Sequence, residues 1–182
     1  MRSKYVIVLV AIIATLLNAC ASDGDAMFDR VFDNGQRGQV GEIDKILDAL
    51  QRRDEEDIKA MFSVNAVERI DDFDKSVEEL FEYVQGNVIS YEDPCGGLEE
   101  QEETNDGHKK VERYWTYDVK TSMDQYRIAF YEISHDTKNT QNVGIWSLYI
   151  IKLENDTDPE FAYRGDGKYT PGIHIGVRNV LP

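Results

Sequence analysis

Arg113 and Glu132 are two opposite charges set in stretches that otherwise read as apolar strand faces. Stepping by twos from Arg113 gives Trp115 and Tyr117, and stepping back from Glu132 gives Phe130 and Ile128. A charge on such a face is costly unless it is paired. Two readings are open. The two side chains can cancel as a cross-strand ion pair near the rim of a sheet. If their face lines a cavity, Glu132 instead becomes a carboxylate of adjustable pKa, able to give or take a proton. Of the three histidines, His174 lies between Ile173 and Ile175 and is the one placed to face such a cavity. A His174–Glu132 acid–base dyad is one arrangement to test, although no spacing demands it. The pocket candidates are therefore Glu132, Arg113 and His174.

The other chemical residues read more plainly. His108 and His135 fall at a loop end and a strand end, where they are solvated. Cys95 sits in Pro94-Cys95-Gly96-Gly97, a turn by composition. Its acidic surroundings raise a thiol pKa, which makes it a bystander rather than a nucleophile. Asp156, Asp158 and Glu160 alternate as in a calcium loop, but Phe161 and Gly167 stand where that loop needs Gly and Glu. The strands are dense in aromatics: Tyr114, Trp115, Tyr117, Tyr126, Tyr131, Trp146 and Tyr149. Such rows stack on sugars or partner proteins, and equally fill cores and sheet surfaces. There is no Gly-rich phosphate loop, no GxSxG, no HExxH and no metal-spaced cysteine set, so neither a cofactor nor a metal site is expected.

These residues need strands to hold them. Three long strands are expected near 109–120, 125–135 and 143–154, with Thr121-Ser122-Met123-Asp124 as the first turn. That turn sets Lys120 against Gln125. Val119 then meets Tyr126, Tyr117 meets Ile128, Trp115 meets Phe130 and Arg113 meets Glu132, and a one-residue slip would mismatch the faces. The third long strand is apolar on both sides, with Ile145, Tyr149 and Ile151 on one and Trp146, Leu148 and Ile150 on the other. It needs cover on both, from helices on one and from a second copy or the C-terminal segment on the other.

Ahead of the strands come three helical patterns. Val40, Ile43, Ile46, Leu47 and Leu50 recur at helical spacing. Asp54 is an N-cap for Ile58, Met61 and Phe62, with Asp57 three residues on. A third helix begins near Asp72 or Asp74, buries Phe73, Val77, Leu80, Phe81 and Val84, and stops at Gly86. Asn87 to Tyr91 is a short strand, Leu98 to Gly107 an acidic mobile loop, and Ile173 to Val177 a weak last strand. Helices followed by a run of antiparallel strands give an α+β fold, the helices packed on one face of a curved sheet.

The N-terminus assigns a place. Arg2 and Lys4 precede an apolar run from Tyr5 to Leu17, 13 residues long, against the roughly 20 that span a bilayer. A basic start and a short apolar run make a cleaved export signal over 1–19. The run ends Leu17-Asn18-Ala19-Cys20, which resembles the bacterial lipobox, with Asn18 a departure from its usual small residue. The resemblance implies a thioether-linked diacylglycerol on Cys20, with palmitate-type chains; two chains suffice for stable anchoring. Residues 20–38, rich in Gly, Asp and Ser, read as a flexible tether, with Met27, Phe28, Val31 and Phe32 as one amphipathic turn. Residues 39–182 are then a single domain. Losing Arg2 and Lys4 with the leader takes the net charge from −15 to −17. Such a surface repels nucleic acid phosphates and anionic headgroups. With Cys20 lipidated, Cys95 has no partner in the chain, so packing alone must hold the fold.

The order of helices and long strands resembles the NTF2-like (cystatin-like) cone. Further stretches resemble a family of small lipoproteins of Gram-positive bacteria known only as a domain of unknown function: Asp54-Glu55-Glu56-Asp57 to Met61-Phe62-Ser63, Glu79-Leu80-Phe81 to Gly86, and Ser90-Tyr91-Glu92-Asp93-Pro94. Asp136-Thr137-Lys138-Asn139, Asn142-Val143-Gly144 and Tyr169-Thr170-Pro171-Gly172-Ile173 extend the likeness across most of the processed chain. The resemblance implies a fold and a location but no activity. The expectation is a lipid-anchored extracytoplasmic module, more binding than catalytic, taking a small ligand in its cone or a protein partner, or a second copy, on its sheet. The alternative is a cone-pocket enzyme using Glu132 and His174.

Overall fold

The computed structural model describes residues 41–94, 99–157 and 165–176. They belong to the second of two units into which the chain divides, Val40–Pro182. The export signal, Cys20, the tether, Cys95, Asp158, Glu160 and Val177 lie outside the described residues.

Among the described residues four helices come first: α1 (Glu42–Arg52), α2 (Glu55–Met61), α3 (Val64–Val67) and α4 (Phe73–Tyr83). Asp54 caps α2 by accepting the Asp57 amide at 3.0 Å, and Asp72 caps α4 by accepting the Lys75 amide at 3.1 Å. The fourth, short helix α3 was not expected. Ser63 starts it, its fully buried hydroxyl accepting the Ala66 amide at 3.1 Å. A four-residue Val-Asn-Ala-Val segment is too short to show a helical period. Helix α4 also ends differently: Val84 is already extended, and Gly86, at φ +85°, turns the chain toward the sheet rather than capping the helix.

Among the described residues six strands form one sheet in the order β1–β3–β4–β5–β6, with β2 beside β1 on the outer edge of β3. They are β1 (Val88–Glu92), β2 (Glu99–Asn105), β3 (His108–Thr121), β4 (Gln125–Asp136), β5 (Gly144–Lys152) and β6 (Gly172–Ile175). The β3–β4 register is the one the turn implied, from Lys120–Gln125 through Val119–Tyr126, Tyr117–Ile128 and Trp115–Phe130 to Arg113–Glu132. Thr121 locks the turn, its hydroxyl donating to the Gln85 carbonyl at 2.7 Å and accepting the Asp124 amide at 2.9 Å.

Three expectations need correction. Residues 99–105 are not a loop but β2, paired residue by residue with β3 from Glu99–Tyr114 to Asn105–His108. Every residue of β2 is exposed, so no apolar alternation marks it; ion pairs Glu100–Arg113 and Glu102–Lys109, both 2.8 Å, tie it down. The last strand, β6, runs parallel to β5, so the sheet is not wholly antiparallel. Finally, a bulge between Tyr131 and Glu132 skips Trp146, so Ile145 stands opposite Glu132. One extra residue inverts the phase, and Ile145 joins the face of Leu148 and Ile150 rather than that of Tyr149.

That first face lies against the helices. The Tyr126 hydroxyl donates to the Tyr83 carbonyl at 3.1 Å and accepts the Gln85 amide at 3.0 Å. The Tyr83 hydroxyl in turn accepts the Lys152 amide at 3.0 Å. The Ser63 amide bonds the Ile145 carbonyl at 2.9 Å. The opposite face carries a cluster of Ala129, Tyr149 and Ile151, and the C-terminal segment covers it. His174 stacks on Tyr149 with centroids 4.6 Å apart, and the Tyr149 hydroxyl donates to Asp166 at 2.7 Å. The second cover that β5 requires therefore comes, among the described residues, from the chain itself.

Asp166 is the clasp of that cover. Burial pushes its carboxyl up, but hydrogen bonds from Thr170, Tyr149 and the Lys168 amide overcome this and hold it at about 2. A carboxylate depressed in the fold stabilises above its unfolded pKa and loses that contribution as pH falls through the folded value. Asp166→Asn is thus expected to cost about 1–2 kcal/mol at pH 7, after allowance for solvent screening. The gap to the unmodified protein should close as thermal melts are taken from about pH 4 down to pH 2. A constant gap would show that Asp166 acts by packing alone.

Candidate functional site

The helix-facing side of the sheet brings Arg113, Trp115 and Tyr117 of β3 beside Phe130 and Glu132 of β4. Arg113 Nη1 lies 3.6 Å from Glu132 Oε1, while its Nε donates to Glu100 at a closer 2.8 Å. The expected pair forms, but the guanidinium is shared and its stronger bond goes to β2. Glu132 is only 7% exposed, and its Oε2 is a buried acceptor with no hydrogen-bond partner. Trp115 Nε1 is a buried donor beside the same carboxyl, close enough to act on it but outside normal hydrogen-bond geometry. Burial is the largest influence on the Glu132 carboxyl and raises its pKa, and Glu42 pushes the same way. Arg113, hydrogen bonding by the Trp115 indole and Lys45 pull it back in part.

Rings build the rest of the wall. Trp115, Tyr117 and Phe130 lie near-parallel, with centroids 6.0–6.3 Å apart and planes 19–26° from one another. Tyr91 of β1 meets Tyr117 edge-on at 5.6 Å, and its hydroxyl donates to Asp44 of α1 at 2.7 Å. Phe130 is buried, while Trp115, Tyr117, Tyr91 and Arg113 remain partly exposed. Burial, then Asp93, Asp44 and Glu132, push the Tyr117 hydroxyl up to about 12. Every charged neighbour acting on Tyr117 is negative.

The structure does not bring His174 to this wall. Pairing of β6 with β5 puts His174 beside Tyr149, on the other face, where its Nε2 lies 2.8 Å from the Thr170 carbonyl. Ile173 and Ile175, paired with Leu148 and Ile150, take the helix-facing side instead. The His174–Glu132 dyad is therefore not formed. His108 and His135 are both exposed. Asp156 pairs with Arg127 at 2.6 Å. Among the described residues, no three of His, Cys, Asp and Glu converge as a metal ion would require.

Sequence reasoning missed Glu42, Asp44, Lys45, Tyr91 and Glu100. For Glu100 a signal existed: Asp106-Gly107 is a hairpin dipeptide, with φ +49° and +81°. It sets Asn105 against His108, and hence Glu100 against Arg113. The α1 residues reach the site only through tertiary packing, which no local spacing reveals.

The comparisons bear on this same stretch. Residues 45–153, more than half of the chain and holding the whole of β3 and β4, match the family described as Domain of unknown function (DUF5104). The chain belongs to that family. The DUF5104 match spans Arg113, Trp115, Tyr117, Phe130 and Glu132, and stops short of His174. No curated protein matches the chain. Within the DUF5104 domain, no helix among the described residues is long and apolar enough to cross a membrane.

Proposed function

We propose that this chain is a lipid-anchored envelope protein, held outside the cytoplasm through Cys20, whose domain is a non-catalytic module binding a small ligand on the helix-facing wall. Residues 1–19 are the cleaved leader, 20–38 the tether and 39–182 the binding domain, an NTF2-like cone with Glu132 at its inner wall. One observation supports the ligand above all. Glu132 is a buried carboxylate on an aromatic wall: Arg113 lies 3.6 Å away and bonds Glu100 more closely, and the Trp115 indole, which acts on the same carboxyl, makes no hydrogen bond of normal geometry. Buried polar atoms left unmet cost about 1–3 kcal/mol each, and binding sites are where that cost recurs. A second reading keeps Glu132 as a general acid, favoured by its raised pKa; without His174 it has no histidine partner.

Mass spectrometry of the full chain, extracted in detergent from its own cells, tests both halves. The intact mass should correspond to a chain starting at Cys20 and carrying diacylglycerol. Under native conditions the protein should retain a small molecule that the Glu132→Ala variant loses. Cys20→Ala should move the protein from the detergent phase into the aqueous phase. A retained Met1 or an unmodified Cys20 thiol overturns the anchor. A protein that carries no ligand overturns the module.

A further inference from the structure

We infer that the ligand of this wall is a small organic ammonium ion, seated between Glu132 Oε2 and the aromatic row of β3, an inference that rests on the binding-module reading above. The geometry is one of committed countercharges. Arg113 gives its short bond to Glu100 at 2.8 Å and reaches Glu132 only at 3.6 Å. Lys45, the other cation acting on Glu132, is held by Glu42 at 2.6 Å. Both neighbouring cations thus belong first to other carboxylates. The Glu132 side chain is 9% exposed, and the buried donor that acts on it, the Trp115 indole, is neutral and makes no hydrogen bond of normal geometry. A carboxylate so deeply buried calls for a cation or a proton of its own.

The rest of the wall selects among ligands. Trp115, Tyr117, Phe130 and Tyr91 present π-systems, whose negative faces attract cations, indole best of all. Glu42, Asp44 and Asp93 add negative potential, acting on Glu132 and Tyr117. An anionic ligand meets repulsion from all of these. A neutral polyol can donate a hydrogen bond to Oε2 but leaves the charge uncompensated. An organic ammonium ion satisfies the oxygen with a charge-assisted hydrogen bond and places its carbon skeleton against the rings. Trp115, Tyr117 and Tyr91 are each partly exposed, so the wall reaches the surface.

The test compares isosteres by titration calorimetry on the full chain. Benzylammonium is expected to bind, and benzyl alcohol, which differs in lacking the charge, to bind at least roughly tenfold more weakly. Glu132→Gln should erase that preference, and Trp115→Phe should weaken benzylammonium while preserving the preference. Circular dichroism confirms that each variant is folded. Equal binding of the two probes, or a charge preference that survives Glu132→Gln, overturns the inference. A neutral or anionic ligand found on the native protein and lost in Glu132→Ala overturns the ammonium class while leaving the module standing. Absence of any retained ligand together with no probe binding removes both.

Discussion

Replacing Gly144 with alanine is expected to cost at least about 3 kcal/mol. Gly144 has φ +127°, a region that residues with a Cβ rarely adopt. The space is also closed: a Cβ there would lie 2.8 Å from the Ser63 nitrogen and 3.0 Å from both the Met61 oxygen and the Phe62 carbonyl carbon. Those are backbone atoms, which cannot rotate aside. They are also the atoms that bridge the helical layer to β5, through Phe62–Ile145 and the Ser63 amide on the Ile145 carbonyl. Ile145 stands opposite Glu132 across the bulge, so the damage reaches the candidate site. Gly107 is the control. Its φ is +81°, but nothing lies within 4 Å of its added Cβ, so Gly107→Ala should cost only about 1 kcal/mol, the left-handed backbone penalty alone. Denaturant melts of the two variants separate the contributions. Similar costs would mean that α2 and α3 yield to the intrusion.

What could be read from the sequence divides along a physical line. The β3–β4 pairing was legible because both strands alternate and a four-residue turn fixes their offset, leaving one register that matches apolar to apolar. Asp54 was legible as a cap because capping is a local bond over three residues, and the start of α4 was narrowed to Asp72 or Asp74. Strand β2 was hidden because Glu99 to Asn105 bury nothing; only the Asp106-Gly107 turn betrays it. The bulge at Tyr131–Glu132 has no local signature, and it alone decides which face Ile145 takes. His174 was misplaced because its alternation with Ile173 and Ile175 says that it faces away from them, and only the pairing of β6 with β5 says which side of the sheet they occupy. The Arg113–Glu132 pair was visible as a pair; its weakness was not, since that depends on Glu100 of β2 competing for the same guanidinium.

On the face away from the helices, Arg127→Met is expected to destabilise the domain by about 3 kcal/mol, because it removes the cation that two carboxylates share. Arg127 holds Asp118 with a two-pronged fork, at 2.5 and 2.7 Å, and reaches Asp156 at 2.6 Å. The three side chains are 14%, 16% and 2% exposed, which takes them out of the class of surface pairs, whose median contribution is about 0–1 kcal/mol. The hydrogen bonding to Asp118 is the largest cause that raises the guanidinium's pKa, against the opposing effect of burial. Methionine fills much of the same volume, so the cost reports lost charge rather than a cavity. In the variant, Asp118 and Asp156 keep their burial and lose the cation they share. The melting temperature should fall by about 10 °C at pH 7. Adding Asp118→Leu to Arg127→Met should restore part of the loss, since a buried pair replaced whole costs far less than one left half-made. A double variant no more stable than the single one would place the cost in packing rather than in the unpaired charge.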